Sequence, residues 1–284
     1  MASRQRVTRF AAVMVMIATT LLAEPDRARQ TLQQPVQQKV VLRIRPPVGD
    51  TLRMQLEQQF DMAREDAAGA PIGSMNGSMR VWTRAVVLRR VGSATDLVSV
   101  TDSVQILPPS AASLPPLRDA KRALEGRTVR VRMSQDGEIT VSGGAQGGVV
   151  ATGVGADMPG VLPTEAVAVG ESWSRNIMVP LSATEHETAR VNTRLRLDSL
   201  SRDGGIAYLS LRGDVSHDHA QHSAVMRGNV TGTLVGTIEI DRRLGWITGS
   251  RTVLAIMSVV QSAGNPPVRL RVRITQSLRA LVDG

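Results

Sequence analysis

Long stretches of the chain alternate between apolar and polar residues. Between Thr51 and Met62, apolar residues occupy nearly every second position, and charged or amide residues fill the positions between them. The same alternation runs through residues 190–197 and 268–274. A period of two residues is typical of an antiparallel strand that buries one face and exposes the other. The pattern therefore predicts a sheet with one apolar face.

Turn residues separate these stretches, which predicts an all-β fold: an antiparallel meander of about eleven long strands. Long strands with one apolar face favour a curled sheet or open barrel. The first strand is predicted from Lys39 and the second over Thr51–Met62, while residues 63–77, rich in Ala and Gly, predict a loop. Further strands are predicted at Met79–Val91, Thr95–Leu107, Arg127–Met133, Glu138–Val141, Ser172–Val179, residues 190–197, Ile206–Val215, Val225–Ile240, Trp246–Val260 and residues 268–274.

One short helix is predicted between Pro108 and Gly126. Pro116 suits the first turn, and Gly126 can end the helix. Leu117, Ala120 and Leu124 lie on one side of it.

The stretch Leu162–Trp173 resembles an earlier stretch, Pro46–Leu52. After each copy the sequence predicts long alternating strands and then a strand with an acidic-glycine turn. We therefore interpret the chain as two pseudo-repeats. The predicted first β half covers residues 39–141 and the second covers 161–284. A Gly-rich junction at 142–160 joins them.

Residues 1–23 have the pattern of a signal peptide. Arg4, Arg6 and Arg9 precede an apolar run from Phe10 to Leu22, which is shorter than the roughly 20 residues of a membrane-spanning helix. Cleavage is expected after Ala23, and the alternative is an uncleaved anchor. Residues 24–38 are polar and predict a flexible tether. We therefore expect a bacterial protein that is exported to the periplasm or the exterior, with no transmembrane span in the mature chain.

Composition narrows the candidate chemistry. The chain has no cysteine, which excludes disulfides, thiol nucleophiles and a lipid-modified cysteine. The net charge of +9 falls to +6 without residues 1–23, and almost all basic residues are arginine. Aromatic residues make up 2% of the chain, which disfavours sugar clefts and single-stranded nucleic acid, and nucleic acid is not an expected partner.

The polar stretch that contains His217, His219 and His222 is the strongest candidate metal site. On a strand, His217 and His219 would share a face, as zinc or copper ligands do. The alternative is a polar loop between two strands, which we favour, and His186 lies elsewhere. We accordingly assign no catalytic residue, no metal ligand and no cofactor.

Two other motifs of enzymes are incomplete or missing. The glycines of 143–148 lack the Lys-Ser/Thr of a phosphate-binding loop, and no Gly-x-Ser-x-Gly motif of serine hydrolases occurs.

Arginines recur on the polar face of several predicted strands, for example Arg194 and Arg196, and Arg269 to Arg273. They are suited to anionic head groups or an acidic partner. We favour the structural alternative, a solvated sheet face, because the alternation alone requires polar residues there. The tryptophans Trp82, Trp173 and Trp246 are predicted to anchor the core.

Three segments, in this order, resemble an exported bacterial family known only as a domain of unknown function. They are Gly126–Val131 with Asp136–Ile139, Leu162–Trp173, and Gly232–Asp241 with Leu244–Trp246. The resemblance spans about residues 39–282 and implies no catalytic residues. A looser likeness in fold is to periplasmic carriers of lipids and lipoproteins, which are curled sheets around an apolar groove.

We expect a non-enzymatic envelope protein whose apolar groove binds a lipid-like or peptide ligand. Methionines at inward positions, such as Met54, Met62 and Met133, suit an adaptable apolar surface. One alternative is a metal-dependent or hydrolytic enzyme centred on the histidines. Another is a structural scaffold with a filled core, whose partner is an envelope protein.

Overall fold

The computed structural model describes residues 38–108, 115–142, 160–180, 188–218, 229–260 and 266–281. These residues all belong to one compact unit, Gln37–Gly284. The strands are β1 Thr51–Glu65, β2 Pro71–Val91, β3 Ala94–Leu107, β4 Thr128–Met133, β5 Ile139–Ser142, β6 Ser172–Pro180, β7 Thr188–Leu200, β8 Ile206–Asp218, β9 Asn229–Asp241, β10 Trp246–Val260 and β11 Val268–Leu281. Helix α1 covers Pro115–Leu124.

All eleven strands form one antiparallel sheet, in the order β5-β4-β3-β2-β1-β11-β10-β9-β8-β7-β6. The first and last strands pair at its centre, and β5 and β6 are its edges, so the sheet does not close into a barrel. The prediction of an all-β, open and curled meander with one short helix is confirmed. None of the described helical residues form a helix long and apolar enough to cross a membrane.

Two local predictions were wrong. Residues 63–77 are not a loop, because β1 continues to Glu65 and β2 begins at Pro71. Small residues such as Gly73 and Gly77 pair in register with β1, so the long ladder overrides their low strand propensity. The residues from Lys39 to Arg45 are extended but form no strand, since their single ladder contact is the bridge between Val40 and Val167.

This N-terminal segment, residues 38–47, fills the inside of the curled sheet. Val40, Leu42 and Ile44 are buried, whereas Val41 between them is 40% exposed. The buried three share one cluster with side chains of β2, β3 and β4 and of β7, β8, β9 and β10. Strands from both edges of the sheet therefore pack on the same segment, which stabilises the curl.

Backbone hydrogen bonds fix the segment at several points. The N–H of Ile44 donates to Gln135 in the β4–β5 turn, and the N–H of Arg45 donates to Gly245 in the β9–β10 turn, both at 2.8 Å. Gly245 has a φ of +59°, and a Cβ there would lie 2.6 Å from the carbonyl oxygen of Arg45. Only glycine meets both demands, the positive φ and the close approach.

Helix α1 packs at a second position on the inner face. Leu124 is 2% exposed and lies in a cluster with Leu56, Met79, Val81 and Val104. Gly126 follows the helix with a φ of +74°, as its predicted role at the helix end requires.

Glycines on the inner face allow the sheet to bend. A Cβ at Gly236 would lie 2.5 Å from the carbonyl oxygen of Arg251, and one at Gly232 would collide with the carbonyl oxygen of Ala255. Both contacts are with backbone of the neighbouring strand β10, so the sheet curves too sharply there for a side chain to fit.

We expect Leu42→Ala to lower the free energy of unfolding by roughly 2–5 kcal/mol, since it leaves a cavity in a core that both sheet edges share. Urea denaturation followed by circular dichroism measures this. Val41→Ala is the matched control and should change stability by less than about 0.5 kcal/mol, because Val41 is exposed. Equal effects of the two substitutions would contradict the central place of the segment.

Candidate functional site

The candidate site is an apolar surface on the inner face of the sheet, next to the core around the N-terminal segment, against which its residue Leu234 packs. We call it the inner strip. Its side chains are all half-buried, in contrast to the fully buried core at the other end. It consists of Phe60, Met62, Met75, Leu234, Leu254, Ile256, Val272 and Ile274.

Strand register places these side chains in two neighbouring rows that run across the strands. In one row the paired residues are Phe60 on β1, Ile274 on β11, Leu254 on β10 and Leu234 on β9. The adjacent row contains Met75, Met62, Val272 and Ile256 in the same way. The two rows together form a continuous apolar surface, as the alternation predicts.

The first row continues past Leu234 to Gly213 on β8, Thr193 on β7 and Arg175 on β6. Arg175 is therefore a cation on the inner, apolar face of the sheet. Its Nη2 donates to the carbonyl oxygen of Leu162 at 2.5 Å. Its Nε is buried and has no hydrogen-bond partner, and no carboxylate of the described residues forms an ion pair with it.

Sequence reasoning missed Arg175, although a signal for it exists. In β6, Trp173, Arg175 and Ile177 alternate with Ser174 and Asn176. An arginine thus stands where the alternation demands an apolar residue. Such a break in the pattern indicates a buried polar group with a special role.

Arginines on the outer face differ from Arg175, because many of them form ion pairs with acidic residues. Ion pairs join Arg80 to Glu57 and Arg84 to Asp102 at 3.1 Å, and Arg271 pairs with Glu65. These contacts support the structural interpretation of the arginine rows.

Asp96 on β3 is the most connected of these acids. Arg132 and Arg89 both donate to its carboxylate, at 2.8 and 3.0 Å. The hydrogen bond from Arg132, and then that from Arg89, holds the pKa of Asp96 below its ordinary value. The cluster ties β2, β3 and β4 together near one edge of the sheet.

The tryptophans occupy two different faces. Trp246 is buried in the core, where its Nε1 lies 3.3 Å from the sulfur of Met54, and Trp173 donates to the carbonyl oxygen of Val161 at 2.7 Å. These two anchor the core as predicted. Trp82 pairs with Gln55 and Ser103 in register and lines a shallow depression on the outer face, so its predicted core role was wrong.

Of the predicted histidine cluster, only the backbone of His217 is described, opposite Val230 at the end of β8. His186, His219 and His222 lie outside the described residues, as do 143–159 of the Gly-rich junction. Within the described part of the chain, His, Asp and Glu form no group of three or more that could hold a metal ion.

The three resembling segments meet at the filled end of the sheet. The carbonyl oxygen of Asp136 accepts hydrogen bonds from the N–H groups of Val161 and Leu162, both at 2.9 Å. Glu171 accepts one from the N–H of Ala168, also at 2.9 Å, and Gly245 contacts the N-terminal segment. The motifs therefore serve the packing of the turns around this segment.

The geometry thus defines an open, curled antiparallel sheet with an apolar inner surface. Residues 156–247 match the model of a family of unknown function, DUF6263. The predicted resemblance to a domain of unknown function is confirmed, over a shorter range than the predicted 39–282. The match includes the second and third segments.

Among solved structures, an outer membrane channel from Pseudomonas putida F1 is similar at 8% sequence identity. The alignment covers 83% of this chain and 96% of that chain, with a TM-score of 0.22, which is too low to support an argument. No curated protein matches the chain.

We expect Asp96→Asn to destabilise the protein at neutral pH, because it weakens the hydrogen bonds from both arginines. The folded-state pKa is lowered, so the contribution of the carboxylate is fully present above the unfolded pKa of about 3.9. It is lost as the pH falls through the folded-state pKa. Thermal unfolding between neutral and acidic pH should therefore show a gap between wild type and variant that narrows in acid.

Glu138→Gln is the control for this series. Glu138 is an exposed carboxylate in the adjacent turn, and it forms no ion pair with another described residue. A gap of equal size and pH dependence in this variant would show that general charge, and not the Asp96 contacts, is responsible.

Proposed function

We propose that the protein is an exported, non-enzymatic binding protein that holds a lipid-like ligand on the inner strip. The observation that carries the proposal is the half-buried state of eight large apolar side chains on one continuous inner surface. Each favours removal from water, at about 25 cal/mol for every Å² of apolar surface that a ligand covers.

The composition of the inner strip favours a ligand of variable shape. Met62 and Met75 lie side by side in register. Methionine is flexible and polarizable, and it adapts to irregular apolar partners. The strip offers aliphatic, thioether and aromatic side chains, which bind apolar groups but supply no proton or nucleophile. Binding therefore fits this surface better than catalysis.

A lipid-like ligand fits better than an extended peptide. Strands β1, β9, β10 and β11 pair with a neighbour on both sides, and β2 does so from Ser78 onward, whereas its residues 71–77 pair only with β1. Apart from residues 71–77, the backbone N–H and C=O groups under the inner strip are engaged within the sheet, so a peptide would find few backbone partners there. An acyl chain has no such groups to satisfy.

The proposal of export rests on the pattern of residues 1–23. We expect the mature chain to begin at Glu24, after cleavage behind Ala23. Intact-mass analysis of the protein from its native envelope fraction measures this. A mass that retains Met1 and the following residues would overturn the cleavage and leave an anchored protein.

Native mass spectrometry of protein that is purified gently from its own envelope fraction tests the binding function. We expect a co-purifying apolar small molecule, or stoichiometric uptake of an added amphiphile. A clean apo mass and no uptake would overturn the proposal and favour a scaffold that binds an envelope protein.

Ile274→Asn places an amide in the middle of the inner strip. We expect it to weaken amphiphile binding by roughly tenfold, because it removes one apolar contact and leaves a polar group under the ligand. The control Met257→Asn lies on the outer face of the neighbouring strand, where Met257 is 50% exposed, and should bind like wild type. If both variants bind alike, the ligand does not lie on the inner strip.

A further inference from the structure

Arg175 has an environment unlike that of the surface arginines. It lies on the inner face of the edge strand β6, in the same cross-strand row as the inner-strip residues Leu234 and Leu254. Its neighbours along the strand on this face are Trp173 and Ile177, which pack against apolar clusters. A long cationic side chain normally keeps its charged end in water, whereas this guanidinium is partly withdrawn from it.

One hydrogen bond holds the backbone of Arg175 in place, and another holds its side chain. Its carbonyl oxygen accepts a hydrogen bond from Thr193 Oγ1 at 2.8 Å. Its Nη2 donates to the carbonyl oxygen of Leu162, which belongs to the fully buried core. The side chain therefore has a fixed direction, and its position does not depend on a ligand.

These contacts do not satisfy the group. A guanidinium has five N–H donors, and a buried donor without a partner is unfavourable. The Nε–H is buried and unpartnered, and the ion pairs of the described residues do not include Arg175. A purely structural clamp on Leu162 needs one donor and no charge, so it does not explain the choice of arginine.

We propose that Arg175 binds the anionic head group of an amphiphile whose apolar tail lies along the inner strip. This inference rests on the proposed function and adds the chemistry of the head group. The Nε–H and the remaining N–H groups of a guanidinium suit the oxygens of a carboxylate or a phosphate ester. The head group would supply an acceptor for the Nε–H and the counter-charge that the described residues do not give Arg175.

The span of the row fits this assignment. From Arg175 to Ile274 the row crosses five strand-to-strand steps of about 4.8 Å, which is roughly 24 Å along the curved surface. Thr193 and then Gly213, which are both buried, separate Arg175 from the large apolar residues, which begin at Leu234. The row therefore has a cation at one end and apolar side chains at the other, which matches the head group and the tail of an anionic amphiphile.

Binding of matched amphiphiles to the mature protein tests the inference. Dodecanoate, dodecyl phosphate and dodecanol share one tail and differ in the head group, and titration calorimetry measures their affinities. We expect wild type to bind the two anions at least tenfold more tightly than dodecanol, since hydrogen bonds to charged groups are the strong ones. Each added methylene should strengthen binding by up to about fourfold, the factor for full burial of one methylene.

Arg175→Gln keeps a donor for the carbonyl oxygen of Leu162 and removes the charge. We expect it to lose at least about tenfold in affinity for both anions and to bind dodecanol like wild type. Arg194→Gln, on the outer face of the adjacent strand β7, is the matched control and should retain the preference for anions. Acetate and inorganic phosphate alone should bind far more weakly than the amphiphiles, which separates a lipid head group from a free anion.

The possible outcomes distinguish the proposed binding function from the role of Arg175. If wild type binds none of the three amphiphiles, both the proposed function and this inference fail. If wild type binds dodecanol as tightly as the anions, the binding function stands and the role of Arg175 is overturned. Equal loss of all three ligands in Arg175→Gln, together with a lower unfolding temperature, would identify a structural clamp. If the variant does not fold, the head-group preference of wild type alone decides.

Discussion

The fold depends on filling the inside of an open, curled sheet. A sheet that curls without closing has an apolar inner face and two free edges, and nothing in its own ladder fixes how tightly it curls. Here the N-terminal segment supplies the missing contacts. Leu42 and its buried neighbours pack against strands from both ends of the sheet, and backbone hydrogen bonds tie the segment to the β4–β5 and β9–β10 turns. The turn motifs and Gly245 follow from this constraint.

The same constraint divides the inner face into two regions with different uses. One end is filled by the N-terminal segment together with Trp173 and Trp246, and its side chains are withdrawn from water. The inner strip has no such covering among the described residues, and its apolar surface stays half-buried. Charge follows the same division. Acids form ion pairs with many arginines on the outer face, whereas Arg175 on the inner face has no acidic partner among the described residues. An apolar surface that ends in a cation is the chemical complement of an anionic amphiphile.

Alternation in the sequence was enough to assign the strands to faces, because a period of two depends only on local geometry. It placed Met54, Met62 and Met133 on the inner face, as observed. It did not reveal which strands are neighbours: the pairing of β1 with β11 joins the two ends of the chain and leaves no local signal. The loop predicted at residues 63–77 is wrong because pairing with the long strand β1 overrides the low strand propensity of this composition. Arg175 was visible only as a break in an otherwise regular pattern.

The central position of the β1–β11 ladder has a consequence for the order of folding. Arg53 pairs with Leu281 across nearly the whole chain, whereas most other ladders join strands that follow one another directly. Closing so long a loop costs more chain entropy than forming a hairpin, and contacts between distant residues slow folding. Two separate meanders, β1 to β5 and β6 to β11, are thus expected to form before they dock. The innermost ladder of the finished sheet would then be among the last to assemble.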